Sequence, residues 1–113
     1  MKQRNPKLYV KDILDSIKSI REYTNGLTFE KFCQKKIAVD AVVRNFEIIG
    51  EAAKNVSDGI KSLHREIPWK EMSGMRNKVI HEYFGVDLDI VWKTVQRLPE
   101  LEIFLKKIYR DKK

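Results

Sequence analysis

The segment from Ile37 to Val56, with the sequence IAVDAVVRNFEIIGEAAKNV, is the most apolar stretch with helical spacing in the chain. Its bulky apolar residues recur at intervals of four and three, and they are Val42, Phe46, Ile49, Ala53 and Val56. A second line of mostly small residues contains Ala38, Ala41, Ile48 and Ala52. A helix with two apolar faces is usually covered on two sides. The segment therefore predicts the central helix of a bundle.

The same segment carries an ionic stripe. Its charged residues follow one another at intervals of four, three and four, and they are Asp40, Arg44, Glu47 and Glu51. Because residues at these spacings are neighbours on a helix surface, Arg44 is expected to pair with Asp40, with Glu47, or with both. The stripe is interpreted either as an ordinary solvated face, contributing about tenths of a kcal/mol, or as support for a functional site.

Two helices are predicted before the central one. Asn5-Pro6 is typical of a helix start, and the first helix is expected to run to about Tyr23. Its buried stripe is predicted to contain Val10, Ile13, Ile17, Ile20 and Tyr23. Thr28 is expected to cap a short helix that directs Phe29 and Phe32 inward.

After the central helix, Ser57-Asp58-Gly59 is predicted to close it. Residues 62–67 are predicted to form a helical turn or short helix, which Pro68 stops. A further helix is expected from Trp69 to about residue 80, with its end near Gly85.

The last helix is predicted to begin at a cap on Asp87. Its apolar residues keep helical spacing, and they are Leu88, Val91, Trp92, Val95, Leu98, Leu101, Leu105 and Ile108. Pro99 lies within this run, and because proline removes one backbone hydrogen bond, a kink or a break is expected there. Nothing shows strand alternation with hairpin turns. The fold class is therefore all-α, an antiparallel bundle of about four to five helices in one domain spanning residues 1–113, with a basic carboxyl end expected to fray.

The amino-acid composition of the chain limits the classes of function that are expected. Lys and Arg outnumber Asp and Glu by 23 to 16, a net charge of +7, which favours a polyanion or an acidic protein as partner, or simply solubility. The one cysteine, Cys33, cannot form an internal disulfide and is predicted to be a buried, inert thiol. No run of about 18 apolar residues and no secretion signal is found, so a cytoplasmic protein without a membrane span is expected.

The stretch from Gly74 to Phe84, GMRNKVIHEYF, contains the pattern R-x4-H-x-Y, formed by Arg76, His81 and Tyr83. The guanidinium keeps its charge at every physiological pH, whereas the imidazole titrates near neutrality. Such a pair suits the movement of protons around a phosphodiester whose negative charge must be held. The pattern therefore predicts phosphoryl chemistry.

Helix geometry constrains this motif. At about 100° per residue, Arg76 and His81 lie about 140° apart around a regular helix, so they cannot both face one phosphate. Either the helix unwinds around His81, or a second copy of the chain completes the site. Metal-free RNA cleavage commonly uses two imidazoles, and the chain has only His64 and His81. His64 is predicted to be exposed and without a role.

The residues around the motif extend the pattern. They are the segment RNFEIIGEAA at residues 44–53, Ile67-Pro68-Trp69, Val86-Asp87 and Ile90-Val91-Trp92. Over nearly its whole length the chain resembles the HepT-like toxin branch of the HEPN superfamily. The resemblance implies a HEPN-like helical bundle, a homodimer with a composite cleft, and a metal-independent endoribonuclease that is the toxin of a toxin–antitoxin pair.

In that cleft His81 is expected to act as general base or acid, and Arg76 to neutralise charge on the phosphoryl oxygens. Asn77 is assigned a supporting role, holding the phosphate or fixing an imidazole tautomer. Glu51 or Glu47 is expected to orient His81, with Arg44 alongside them. The dimer interface is predicted to use the small-residue face of the central helix.

The resemblance also implies control through Tyr83. A partner nucleotidyltransferase similar to MntA is expected to transfer AMP onto its hydroxyl and so block RNA. No metal site or cofactor is predicted, because the chain has neither a ligand set at metal spacing nor a glycine-rich phosphate loop. Two alternatives stay open: a catalytically silent helical module that binds a nucleotidyltransferase or nucleotide, and a basic nucleic-acid-binding domain without chemistry.

Overall fold

The computed structural model describes residues 5–81 and 88–111, without the side chains of residues 6, 76–81 and 111. All regular structure in these ranges is α-helical, which confirms the predicted all-α class. Four long helices are accompanied by two helices of six residues each. The helices are α1 Pro6–Thr24, α2 Phe29–Gln34, α3 Lys36–Asn55, α4 Asp58–Leu63, α5 Trp69–His81 and α6 Leu88–Asp111.

Helix α1 begins as predicted, with the Asn5 side chain accepting a hydrogen bond from the Lys7 amide at 2.9 Å. The residues fully buried along it are Val10, Ile13, Ile17 and Ile20. Tyr23 was predicted to extend this stripe, and that is wrong, since its side chain is 45% exposed. Thr24 continues the stripe instead, because it lies four residues after Ile20 and satisfies its buried hydroxyl by donating to the Ile20 carbonyl.

The predicted short helix is α2. Thr28 caps it by accepting a hydrogen bond from the Lys31 amide at 3.2 Å. Phe32 is fully buried, with its ring centroid 5.0 Å from that of Trp92, whereas Phe29 is 37% exposed at the edge of the same cluster. The inward prediction therefore holds for Phe32 alone. Cys33 is half-buried rather than buried, because a helix of this length covers only one face.

Helix α3 lies at the centre of the bundle, between α1 and α5. Its bulky face is buried as predicted. The small-residue face is also largely covered within one chain: Ala38 and Ala52 are 3% and 5% exposed. Ile48 and Ala52 border a cleft shared with Tyr9 of α1. The prediction that this face forms a subunit interface is therefore wrong for Ala38 and Ala52.

The position of α4 differs from the prediction at two element boundaries. Ser57 does not simply close α3 but caps α4, accepting a hydrogen bond from the Ile60 amide at 3.3 Å. The helix lies at residues 58–63, so a short helix over 62–67 is wrong, whereas the predicted turn is present at residues 64–67, where the Ile67 amide donates to the His64 carbonyl at 3.2 Å. A Ser-Asp-Gly sequence suits a helix stop and a helix start equally, and here Val56, in an extended conformation, ends α3.

The long helices alternate in direction. Arg21 of α1 forms an ion pair with Glu102 of α6, and the Lys7 ammonium lies 5.0 Å from the centroid of the Tyr109 ring. These contacts set α6 antiparallel to α1. Helix α3 packs along α1 after the short α2, and α5 packs along α3 after the short α4, and such short connections join antiparallel neighbours. The bundle is therefore antiparallel, as predicted.

Helix α6 continues through Pro99. Of the two outcomes expected there, a kink or a break, the break does not occur. Proline lacks an amide hydrogen, so the Val95 carbonyl loses its partner in the helix. The apolar residues on both sides of Pro99 are buried, Leu98 at 1% and Leu105 at 0% exposure. Their packing holds the two halves in one helix. None of the helices in the described ranges has the length and apolar character needed to cross a membrane.

Candidate active site

The start of α5 is fixed by packing and by one side-chain hydrogen bond. The Trp69 indole Nε1 donates to the His64 carbonyl at 3.0 Å, and Trp69 and Met72 are buried. Helix α5 then runs from Trp69 through His81, which confirms the predicted start and the helical character to about residue 80, whereas the predicted end near Gly85 lies outside the described residues. Arg76, Asn77 and His81 all lie on its carboxyl-terminal half, whereas Tyr83 and Asp87 lie outside the described residues.

This course bears on the two ways of completing the site. The helix does not unwind before or at His81. At about 100° per residue, the positions of Arg76 and His81 therefore stay about 140° apart around one axis. One copy of α5 cannot turn both positions towards the same phosphate. Of the two alternatives, a site completed by a second copy of the chain is the one that this geometry favours.

A groove lies between α5 and α6, because each packs mainly on another helix, α5 on α3 and α6 on α1. Its volume is about 780 Å³. The apolar residues that line it are Phe46, Met72, Met75, Ile90, Val91, Leu98, Leu101 and Phe104. Gly74 and Met75 also line it and directly precede Arg76 in the helix. The groove therefore extends to the beginning of the motif.

Sequence analysis did not identify this groove, although a signal was present. Five residues of α6 at intervals of four and three line it, and they are Ile90, Thr94, Arg97, Leu101 and Phe104. This is a second stripe beside the buried one. Because a threonine and an arginine interrupt the apolar residues of this stripe, a search for apolar periodicity does not detect it.

The predicted supporting residues lie elsewhere, in the cleft between α1 and α3. This cleft has a volume of about 400 Å³ and contains Arg44, Glu47 and Glu51 together with Tyr9 and Asp12. The Arg44 Nη1 atom lies 3.6 Å from Glu47 Oε2, which confirms the predicted pairing with Glu47. Because the Arg44 side chain is 70% exposed, this pair contributes little stability. The structure thus brings Arg44, Glu47 and Glu51 to one another and to α1, and their roles in catalysis stay predictions.

His64 was predicted to be exposed, and this is wrong. Its side chain is 21% exposed, with Nδ1 3.9 Å from Glu66 Oε2. Its backbone carbonyl holds the Trp69 indole. His64 is therefore part of the structural connection between α4 and α5. Within the described ranges, no group of three or more His, Cys, Asp or Glu side chains is arranged to hold a metal ion.

Comparison with known proteins identifies the family of the chain. The family model described as "Ribonuclease HepT-like" matches residues 13–108, which include α3, α5 and most of α6. The chain belongs to the HepT-like ribonuclease family. This confirms the resemblance found from the sequence and supports the predicted enzyme class, a ribonuclease.

Among curated relatives of this HepT-like chain, one from Thermococcus cleftensis named "Probable ribonuclease HepT" is 50% identical over 102 residues, covering 88% of this chain and 92% of the relative. A "Putative RNase" from Caldanaerobacter subterraneus subsp. tengcongensis is 41% identical over 97% of this chain and 99% of its own. Another "Putative RNase", from Methanocaldococcus jannaschii, is 40% identical over 98% of this chain and 93% of its own. No solved structure matches the chain significantly.

Proposed function

We propose that this HepT-like chain is a metal-independent endoribonuclease that works as a homodimer. Arg76 and His81 from both copies would form one cleft. The observation that supports this most directly is that α5 remains helical through His81. The positions of Arg76 and His81 on one helix then lie about 140° apart, whereas two chains related by a two-fold axis would supply both residues to one cleft.

The proposed reaction is internal transesterification of RNA. One His81 imidazole accepts the proton of a ribose 2′-hydroxyl, whose oxygen attacks the adjacent phosphorus. The bond from phosphorus to the 5′-oxygen breaks, and the second imidazole gives that oxygen a proton. The products are a 2′,3′-cyclic phosphate and a free 5′-hydroxyl. The Arg76 guanidinium neutralises the charge that grows on the phosphoryl oxygens, and Asn77 holds the phosphate or fixes an imidazole tautomer.

The groove between α5 and α6 is the surface we propose for the dimer, in place of the small-residue face of α3. Its floor is apolar, and half-buried side chains such as Met75, Leu101 and Phe104 line it. A second copy that covers these side chains would remove apolar surface from water and stabilise the dimer. Because Met75 precedes Arg76, a dimer formed there would bring the two motif helices near each other.

The purified chain, incubated with labelled RNA beside a His81→Ala variant, tests the proposed activity. We expect cleavage by the natural chain and loss of cleavage in the variant. Intact RNA with both proteins would favour the alternative of a catalytically silent helical module.

We also propose that the chain is the toxin of a toxin–antitoxin pair in the cytoplasm. Its partner would be a nucleotidyltransferase similar to MntA that transfers AMP from ATP to the Tyr83 hydroxyl, which loses its proton as pyrophosphate is released. Tyr83 lies two residues after His81 in the sequence. A bulky group with a new negative charge close to the cleft would repel and obstruct the RNA backbone.

Replacing Tyr83 with phenylalanine is expected to leave cleavage intact and to remove inhibition by the partner. The substitution keeps the aromatic ring and deletes only the hydroxyl that accepts AMP. Mass spectrometry after coexpression, together with a cleavage assay, provides the measurement. Inhibition of the natural chain without a mass increase at Tyr83 would show that the partner acts by binding alone.

A further inference from the structure

Arg97 is the unpaired cation of the groove between α5 and α6. It lies on α6 in the stripe that lines the groove, one helical turn before Leu101. Its side chain is exposed, and its guanidinium has no hydrogen-bond or ion-pair partner among the side chains that the structure describes. Lys93, the other cation of this lining, differs because its ammonium lies 2.9 Å from the Asp89 carboxylate.

The charges of the groove are separated along its length. Glu66 precedes α5, Glu71 lies in its first turn, and Glu100 of α6 lines the same groove. Lys93 and Arg97 lie on the amino-terminal half of α6. Because α5 and α6 are antiparallel, these cations are on the side of the groove that leads to the carboxyl end of α5, where Arg76 begins the motif. Arg97 therefore lies towards the end of the groove that leads to the motif.

A second copy of the chain that covers the groove would bury the charge of Arg97. Covering the groove removes water from Arg97, and a desolvated guanidinium without a partner is costly. In a two-fold pairing that brings the motif helices together, the two Arg97 side chains approach from related positions. Two like charges in one cleft then favour the binding of an anion between them.

We propose that Arg97 of each chain binds a phosphate of the RNA substrate next to the scissile one, and so positions the strand across the two motif helices. This rests on the proposed ribonuclease dimer and adds a substrate-binding residue to it. The planar guanidinium suits bidentate contact with a phosphate. A contact with a phosphate does not distinguish one base from another, so Arg97 contributes to affinity for any RNA sequence.

The test measures binding of a 2′-O-methyl RNA oligonucleotide, which cannot undergo internal attack, over a salt series from about 50 to 200 mM. Arg97→Gln is compared with the natural chain and with Arg97→Lys. Arg110→Gln is the matched control, because Arg110 is exposed on the same helix about 20 Å further along it. Sedimentation reports the oligomeric state of each protein.

For Arg97→Gln we expect a dimer whose dissociation constant for RNA rises about tenfold. The slope of log affinity against log salt should become shallower by about one to two, since each dimer loses two phosphate contacts. In cleavage assays KM should rise more than kcat falls. Arg97→Lys should keep the salt slope and lose part of the affinity, while Arg110→Gln should match the natural chain.

The inference is overturned if Arg97→Gln and Arg110→Gln bind RNA equally, or if Arg97→Gln becomes monomeric. The second result would show that Arg97 pairs with a carboxylate of the partner subunit. If the natural chain binds 2′-O-methyl RNA in an Arg97-dependent way but never cleaves RNA, the proposed reaction fails while this inference stands. If the natural chain binds no RNA, both fail.

Discussion

His81→Ala should lower the rate of RNA cleavage by about 10²–10⁴-fold, the usual contribution of general acid–base catalysis. Each dimer loses both imidazoles, so neither the base for the 2′-hydroxyl nor the acid for the leaving oxygen remains. Arg76→Ala should cost about 10²–10³-fold, as expected for the loss of a group that stabilises transition-state charge. Single-turnover rates with saturating enzyme measure both effects.

The matched control for the histidine is His64→Ala. The His64 side chain lies near Glu66, and its carbonyl contact with Trp69 survives the substitution. His64→Ala should therefore cleave RNA at nearly the natural rate. Circular dichroism of all three variants checks that helical content is retained. Full activity in His81→Ala would contradict the assigned chemistry.

Substitution of Ile90 by aspartate should separate the subunits and abolish cleavage. Ile90 lines the groove and is 38% exposed in one chain. A carboxylate placed in a covered apolar surface loses its hydration, and this cost exceeds what the neighbouring Lys93 and Arg97 cations return, so the dimer dissociation constant should rise at least about 100-fold. Sedimentation across micromolar concentrations provides the measurement, and activity should fall in parallel with the dimer fraction.

The chain supplies a matched control for this substitution. Ile103 is on the same helix, is 69% exposed and does not line the groove, so Ile103→Asp makes the same chemical change outside the proposed interface. We expect it to remain dimeric and active. A dimeric Ile90→Asp, or a monomeric Ile103→Asp, would show that another surface joins the subunits.

Most of the fold could be predicted because helix caps and apolar periodicity act locally. Asn5, Thr28 and Trp69 each mark a helix start that the structure confirms to within a residue. The errors occur where one signal has two meanings. Ser57 belongs to a sequence that both ends and begins helices, and the exposure of Tyr23 depends on which turn of α1 lies closest to its neighbours.

The candidate site was predictable only as a set of residue types. R-x4-H-x-Y identifies Arg76 and His81, and helix geometry adds that a regular helix holds these two positions about 140° apart. The groove depends instead on how far α5 and α6 stand apart, which is a tertiary property. Arg97 is indistinguishable in sequence from the other surface cations, since only its place in the groove lining and its lack of a partner among the described residues set it apart.

The end group of the cleaved RNA, measured in the presence of excess EDTA, tests the central claim most directly. Attack by the 2′-hydroxyl under His81 and Arg76 control predicts cleavage that survives the chelator and leaves a 2′,3′-cyclic phosphate on one fragment and a 5′-hydroxyl on the other. Mass spectrometry of the fragments distinguishes these ends from a 5′-phosphate. Loss of cleavage with EDTA, or a 5′-phosphate product, would contradict the proposed mechanism.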